Sequence, residues 1–186
     1  MYDVIIVGGG PAGQSAAIFT SKAGKQTLVL DDEKGLTQKA WVRNHYGLPD
    51  VEGGELVAAG RKQVDQFGAE VKKATATNVT KEGDTFKVET KDGDTYEAAH
   101  VILTTGANQK LAETIGLDTK EGTEPYVKKV IVVDEDGQTS QKGIWAAGTA
   151  GGVSVHTIVT SGDGARVAIN LLSDLKGERH VDHDAL

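Results

Sequence analysis

A chain of 186 residues is long enough to bury a core but would cramp two full domains, so one domain with at most a small lobe is expected. Its formal net charge of -7 argues against a nucleic-acid partner, which would want a basic face, and no apolar run is long enough to cross a bilayer. With no cysteine it has no disulfide, thiolate nucleophile or cysteine metal site, and without a basic-then-apolar leader it is expected to be cytoplasmic.

The chain opens with Val4-Ile5-Ile6-Val7, a β-branched run bounded by glycine, which is the pattern of a strand buried on both faces. It breaks into Gly8-Gly9-Gly10-Pro11-Ala12-Gly13, where Gly8, Gly10 and Gly13 carry the G-x-G-x-x-G spacing. Gly8 is expected to permit the tight turn, Gly10 to let the backbone approach a pyrophosphate, and Gly13 to let the following helix pack close to the strand. Pro11 suits a first helical turn, and the N–H groups beside it would face an anion. The helix is expected from Ala12 to Lys22 with Gly24 as its C-cap, followed by a second strand over Gln26 to Asp31. Asp31, with Asp32 behind it, stands about twenty residues past the glycines, where a ribose-binding carboxylate is expected. A structural glycine turn would explain the spacing alone; the complete order of strand, turn, helix, strand and acid favours a dinucleotide site.

Residues 34 to 49 form an irregular stretch carrying Leu36, Thr37, Trp41, Asn44 and Tyr46, which could line a ligand or simply pack. Leu56, Val57, Val64 and Phe67 fall at helical spacings, so an amphipathic helix over 54 to 67, stopped by Gly68, should cover one face of the sheet. Glu70 to Val79 reads as one strand, continuing into Thr85 to Thr90 and Thr95 to Ala98, with a hairpin at Asp92-Gly93. These strands suggest a small antiparallel meander inserted into a parallel sheet. Val101 to Thr105 returns to the buried-strand pattern and ends at Gly106.

Residues 107 to 125 are mostly polar, with a short helix around Leu111 to Ile115 and a breaker at Pro125, and are the expected junction. Tyr126 to Val133 reads as a strand, 134 to 143 as a loop, and Gly143 to Gly148 as a last buried strand ending in glycine. In an open parallel sheet the ligand crevice lies off the carboxyl ends of the strands, so Gly8, Gly106 and Gly148 should gather there. A helix over Thr157 to Leu175, interrupted or tightly packed at Gly162 and Gly164, would aim its N-terminus at the same crevice. The polar tail after it is expected to fray, and its His180 and His183, without a third fixed ligand, are read as solvent-exposed rather than as a metal site.

Taken together the sequence resembles the FAD-binding domain of the thioredoxin reductase family. Gly8 to Gly13 resembles the family's FAD-pyrophosphate turn, and Val42-Arg43-Asn44-His45-Tyr46-Gly47 its flavin-flanking segment. Val101 to Ala107 is similar to its central glycine-ended strand, and Gly143 to Gly148 with Thr157 to Gly164 to its last strand and the helix that meets the flavin. The resemblance implies an α/β, Rossmann-like FAD-binding fold: a central parallel sheet with helices and a small antiparallel meander, forming a single domain over 1–177 with a polar tail over 178–186. It implies FAD contacts at Gly8, Gly10, Pro11, Ala12, Gly13, Asp31, Asp32, Gly35, Leu36, Thr37, Trp41 and Asn44. Further contacts are implied at Thr105, Gly106, Ala107, Gly148, Thr149, His156, Thr157 and Ile158. Four positions depart from the family: Thr149 stands where an aspartate usually touches the ribityl chain, His156 and Thr157 where arginine and glutamine are common, and Gly35 where glutamine is usual.

The family also inserts a nicotinamide domain with a Cys-x-x-Cys between its central glycine strand and its last strand, and here a short link near 118–125 takes that place. The implied protein is a flavin module that does not reduce thioredoxin by the family's dithiol route. It would be an FAD-dependent oxidoreductase or electron carrier, fed by NAD(P)H or a redox partner protein. No dedicated acid or base stands out; His156 is a weak candidate. The alternative is a non-catalytic protein that holds FAD or an adenine nucleotide; NAD in place of FAD fits the flavin-like segments less well. A missing domain would leave apolar surface over the flavin, so a homodimer or a covering partner is expected.

Overall fold

The computed structural model describes residues 1–184; residues 185 and 186, the end of the polar tail, lie outside the described residues. Strand β1 (Tyr2–Val7) leads through the glycine turn into helix α1 (Pro11–Lys22) and strand β2 (Thr27–Asp31). A short 3-10 turn (Leu36–Lys39) precedes two small paired strands, β3 (Trp41–Val42) and β4 (Val51–Glu52), and then α2 (Gly53–Gln66). Next come β5 (Glu70–Lys73), β6 (Ala76–Glu82), β7 (Thr85–Thr90) and β8 (Thr95–Leu103). The last part holds α3 (Lys110–Thr114), β9 (Thr119–Glu121), β10 (Lys129–Ile131), β11 (Ile144–Ala146) and α4 (Thr157–Lys176).

The main sheet runs β5-β2-β1-β8-β7-β6, with β11 also on β8. β5, β2, β1, β8 and β11 are parallel where they pair, and β6, β7 and β8 form the expected antiparallel meander. Alternate residues of the central strands serve two cores, which is why their sequences are continuously apolar. Ile5, Val7, Leu30, Val101, Leu103 and Ile144 pack on one face with Phe86, Val88 and Leu111. Val4, Ile6, Val29, Ile102 and Trp145 pack on the other with Ala16 and Ala17 of α1, Val64 of α2, and Val167, Ala168 and Leu171 of α4. Each such aliphatic side chain, buried to a few per cent exposure or less, contributes roughly 1.5–3 kcal/mol.

Four expectations are corrected. Glu70 to Val79 is two strands, broken at Ala74–Thr75, and β5 and β6 stand at opposite ends of the strand order. Two residues of chain cannot reach far, so the sheet curls over the face carrying Phe86 and Val88. Thr95 to Ala98 and Val101 to Leu103 are one strand, β8, whose outer edge is shared: its first half pairs with β7 antiparallel and its second half with β11 parallel. The strand expected over Tyr126 to Val133 shrinks to β10, which pairs with β9 inside the stretch read as a polar link. The tail, finally, is tied through Asp184: Arg179 bonds Asn170, the His180 N–H bonds Ser173 Oγ, and Lys22 meets Asp182 at 2.7 Å and Asp184 at 2.6 Å. Among the described residues no helix is long and apolar enough to cross a membrane, and no cluster of three potential metal-ligating side chains occurs.

Candidate functional site

The parallel register sets Val7, Leu103 and Ala146 side by side, so the three glycine-bearing turns leave the sheet at one end. The Thr104 hydroxyl stitches the first two together by donating to Gly8 O at 2.8 Å and Val7 O at 3.0 Å. Gly8 has φ +111, and a side chain there would strike Thr104 O. Gly13 is tighter still, because a Cβ would stand 1.9 Å from Gly8 O, so only glycine lets α1 lie this close to β1. The third turn joins the same point: a Cβ on Gly148 would fall 2.7 Å from Ala12 Cβ.

Gly10 differs from its neighbours. No atom lies within 4 Å of where its Cβ would be, and its backbone is extended as the N-cap of α1, with Pro11 next. The first turn of α1 carries no acid and no side-chain cap, so its positive dipole end is not offset within the helix. A cleft beside it is lined by Gly9, Gly10, Asp31, Gly35, Thr37 and Val57. Asp31 therefore faces this cleft, with its Oδ1 accepting the Glu33 N–H at 3.1 Å, whereas Asp32 accepts the Lys34 N–H and lies 3.6 Å from the Lys34 ammonium. Gly9 is required here as well, since a Cβ would collide with Asp31 Oδ2. These features fit a group with an anionic linker and a hydroxylated sugar.

The segment Val42 to Gly47 reaches the last helix through His45, whose Nδ1 lies 3.0 Å from Thr157 Oγ1. Thr157 is buried at the start of α4; Ile158 is partly open, and His156 is exposed and bonded to Ser154 Oγ at 2.7 Å. Asn44 is exposed, Tyr46 projects outward, and Trp41 donates to Asp50 with Arg43 over its ring, so these side chains do not converge on Thr157 as His45 does. Thr105, Gly106 and Ala107 are partly buried directly after Thr104, with Gln109 holding Gly106 O at 2.8 Å. Thr149 follows Gly148 in a 3-10 turn and is also partly buried.

Five residues that bear on this site were not singled out from the sequence: Gly9, His45 and Thr104, and on α4 Asp163, which accepts the Gly148 N–H at 2.8 Å, with Arg166, which donates to it at 2.9 Å. A threonine closing an apolar run and an acid set between Gly162 and Gly164 were the available signals.

The profile of the pyridine nucleotide-disulphide oxidoreductase family matches residues 2–130 and 73–165. The chain belongs to that family. Among curated relatives, a thioredoxin reductase of Aquifex aeolicus is 40% identical over 116 residues, covering 59% of this chain and 35% of that protein. A thioredoxin reductase of Listeria monocytogenes is 35% identical over 127 residues, covering 66% of this chain and 39% of that protein. The chain thus spans well under half the length of these relatives. Among solved structures, a thioredoxin reductase from Gloeobacter violaceus superposes with TM-score 0.81 at 18% identity, covering 100% of this chain and 99% of that one. An atypical thioredoxin reductase from Desulfovibrio vulgaris Hildenborough gives 0.82 at 19%, covering 96% and 99%. These two establish the shared fold. Members of the pyridine nucleotide-disulphide oxidoreductase family related to thioredoxin reductase are FAD-binding flavoproteins, and the α/β fold seen here is of that oxidoreductase type.

Proposed function

We propose that this chain is an FAD-binding module that works as an oxidoreductase or electron carrier. The observation that carries the reading is the meeting of three strand ends, with Gly8 on Thr104 and Gly148 on Ala12, beside a helix N-terminus free of acids. In this reading the N–H groups of Gly10, Ala12 and Gly13, with Pro11 setting the helix start, hold the pyrophosphate. Asp31 accepts hydrogen bonds from the adenosine ribose, with Gly35, Leu36 and Thr37 beside it; Asp32 serves less well because it is turned to Lys34. Thr105, Gly106, Ala107, Gly148 and Thr149 border the ribityl chain, where the Thr149 hydroxyl offers an uncharged hydrogen bond. Asn44 and Trp41 flank the ring after local rearrangement, while Thr157 and Ile158 direct the positive end of α4 at its edge. Bound FAD would supply the electron chemistry, and these residues bind it, orient it and limit water.

We place the electron source outside these residues, as NAD(P)H or a redox partner protein. The stretch between Gly106 and Gly143 holds α3, β9 and β10 and carries neither a second glycine fingerprint nor a cysteine pair. Trp41 at 55% exposure, Tyr46 at 93% and Val155 at 45% support a second copy or a partner covering this face. A non-catalytic role for the bound nucleotide is favoured by one observation: Thr149, next to Gly148 in the turn, is uncharged where the family usually carries an aspartate.

The test is an absorbance spectrum of the purified protein with identification of the extracted nucleotide, then anaerobic mixing with NADH and NADPH. FAD with bleaching by either donor is expected. A colourless protein that takes up no FAD defeats the reading, and FAD that stays oxidised with both donors rules out direct use of nicotinamide.

A further inference from the structure

We propose that Asp163 is a positioning residue for the Gly148-Thr149 turn and, through it, for the flavin half of the cofactor; this deepens the reading above and rests on it. Asp163 sits on α4 with 8% of its surface exposed. A carboxylate withdrawn so far from water is costly unless its oxygens are bonded and its charge is paired. Both conditions hold. Oδ2 accepts the Gly148 N–H at 2.8 Å, and Oδ1 accepts from Arg166 Nε at 2.9 Å. Arg166 also donates to the carbonyl of Glu135, on the loop that leads into β11. One buried acid therefore joins α4 to the segments entering and leaving β11.

The turn it holds has little room to choose another shape. Gly148 has φ +69, and its missing side chain is what admits Ala12 of α1. Gly164, next to Asp163, packs so closely on Ala12 O that a Cβ would come within 2.1 Å. From adjacent positions on α4, Asp163 thus holds the turn while Gly164 packs on the first residues of α1. A charge-assisted bond to a backbone N–H fixes the direction of the adjoining peptide planes, and Thr149 is the next residue. Because the Thr149 hydroxyl has no charge to pull a ligand into place, its usefulness depends on how firmly the backbone presents it.

The experiment compares FAD with ADP, which shares the half of the cofactor at α1 but lacks the half assigned to Gly148-Thr149. Full-length protein stripped of nucleotide is titrated with each ligand. Asp163→Ala is expected to raise the Kd for FAD by at least about tenfold, the loss of one charge-assisted bond, and to leave ADP within about twofold. Asp163→Asn, whose amide oxygen still accepts the Gly148 N–H, is expected to recover most of the loss. An unchanged FAD affinity, or equal weakening for both ligands, overturns the proposal, since a merely structural role would not separate them. If Asp163→Ala does not fold, Arg166→Gln, which removes the partner of Asp163 Oδ1, carries the same comparison: FAD weakened more than ADP supports the role, and parallel effects overturn it. Failure of the unaltered protein to bind FAD is a different outcome, which removes the cofactor reading and this role with it.

Discussion

Single atoms decide what the glycine turn tolerates. Gly13→Ala would set a methyl group 1.9 Å from Gly8 O, a backbone atom that cannot swing away, so α1 must lift from β1. Loss of about 1–3 kcal/mol or more in chemical denaturation is expected. Gly10→Ala meets nothing within 4 Å and needs no positive φ, so it should fold with near-unchanged stability while lowering nucleotide affinity, which a titration separates from folding. His100 provides a pH signature. It lies opposite Val4 on β8 with its Nδ1 buried and unpartnered among the described residues. Burial pushes its pKa below 6.5, outweighing the pull of Asp174 and Asp3, with Lys25 acting in the same direction as burial. The unfolded chain then takes up the proton first as pH falls. The stabilising contribution is complete above the unfolded value of 6.5 and is lost as pH drops through the lower folded value. Replacing His100 with Gln should therefore flatten the fall in denaturation midpoint between about pH 7 and about pH 5. The packing roles of Gly8 and Gly13 were legible because their spacing behind a buried strand calls for a tight turn and a close helix. Asp163 was not, since a buried carboxylate and a surface one look identical until the partner on another element is known.

The last helix shows how one element carries both packing and freedom. Gly162 and Gly164 raised the question of an interruption, but α4 is continuous from Thr157 to Lys176. Gly164 is the packed one, against Ala12 O, while nothing lies within 4 Å of a Cβ on Gly162. Gly162→Ala should thus stabilise the protein by about 0.5–1 kcal/mol through helix propensity, and Gly164→Ala should destabilise it, with thermal melts of both variants as the check. Helices and buried strands were readable because their periods and caps are local. Boundaries failed where the deciding interaction was distant. The break at Ala74–Thr75 follows from β5 joining β2 and β6 joining β7, and the continuity of β8 through Ala99-His100 follows from pairing with β1 from Ala98 to Leu103. The polar look of 119–121 likewise hid a strand that exists only because β10 lies beside it.

Over the whole molecule, the apolar runs and helical spacings pointed to a central sheet served by helices, and the expected gathering of glycine-ended strands at one end is present. The clamped tail was missed because its anchors, Lys22, Asn170 and Ser173, belong to α1 and α4. The shared edge of β8 has a further consequence. Until β11 arrives, Val101, Ile102 and Leu103 have only one neighbouring strand, and until α4 arrives, Ala16 and Ala17 lack their cover. Both of those elements lie beyond residue 143, whereas the nucleotide fingerprint is complete by residue 31 and leaves the ribosome well ahead of them. A growing polypeptide consequently displays its glycine loop long before β11 and α4 are there to close over it.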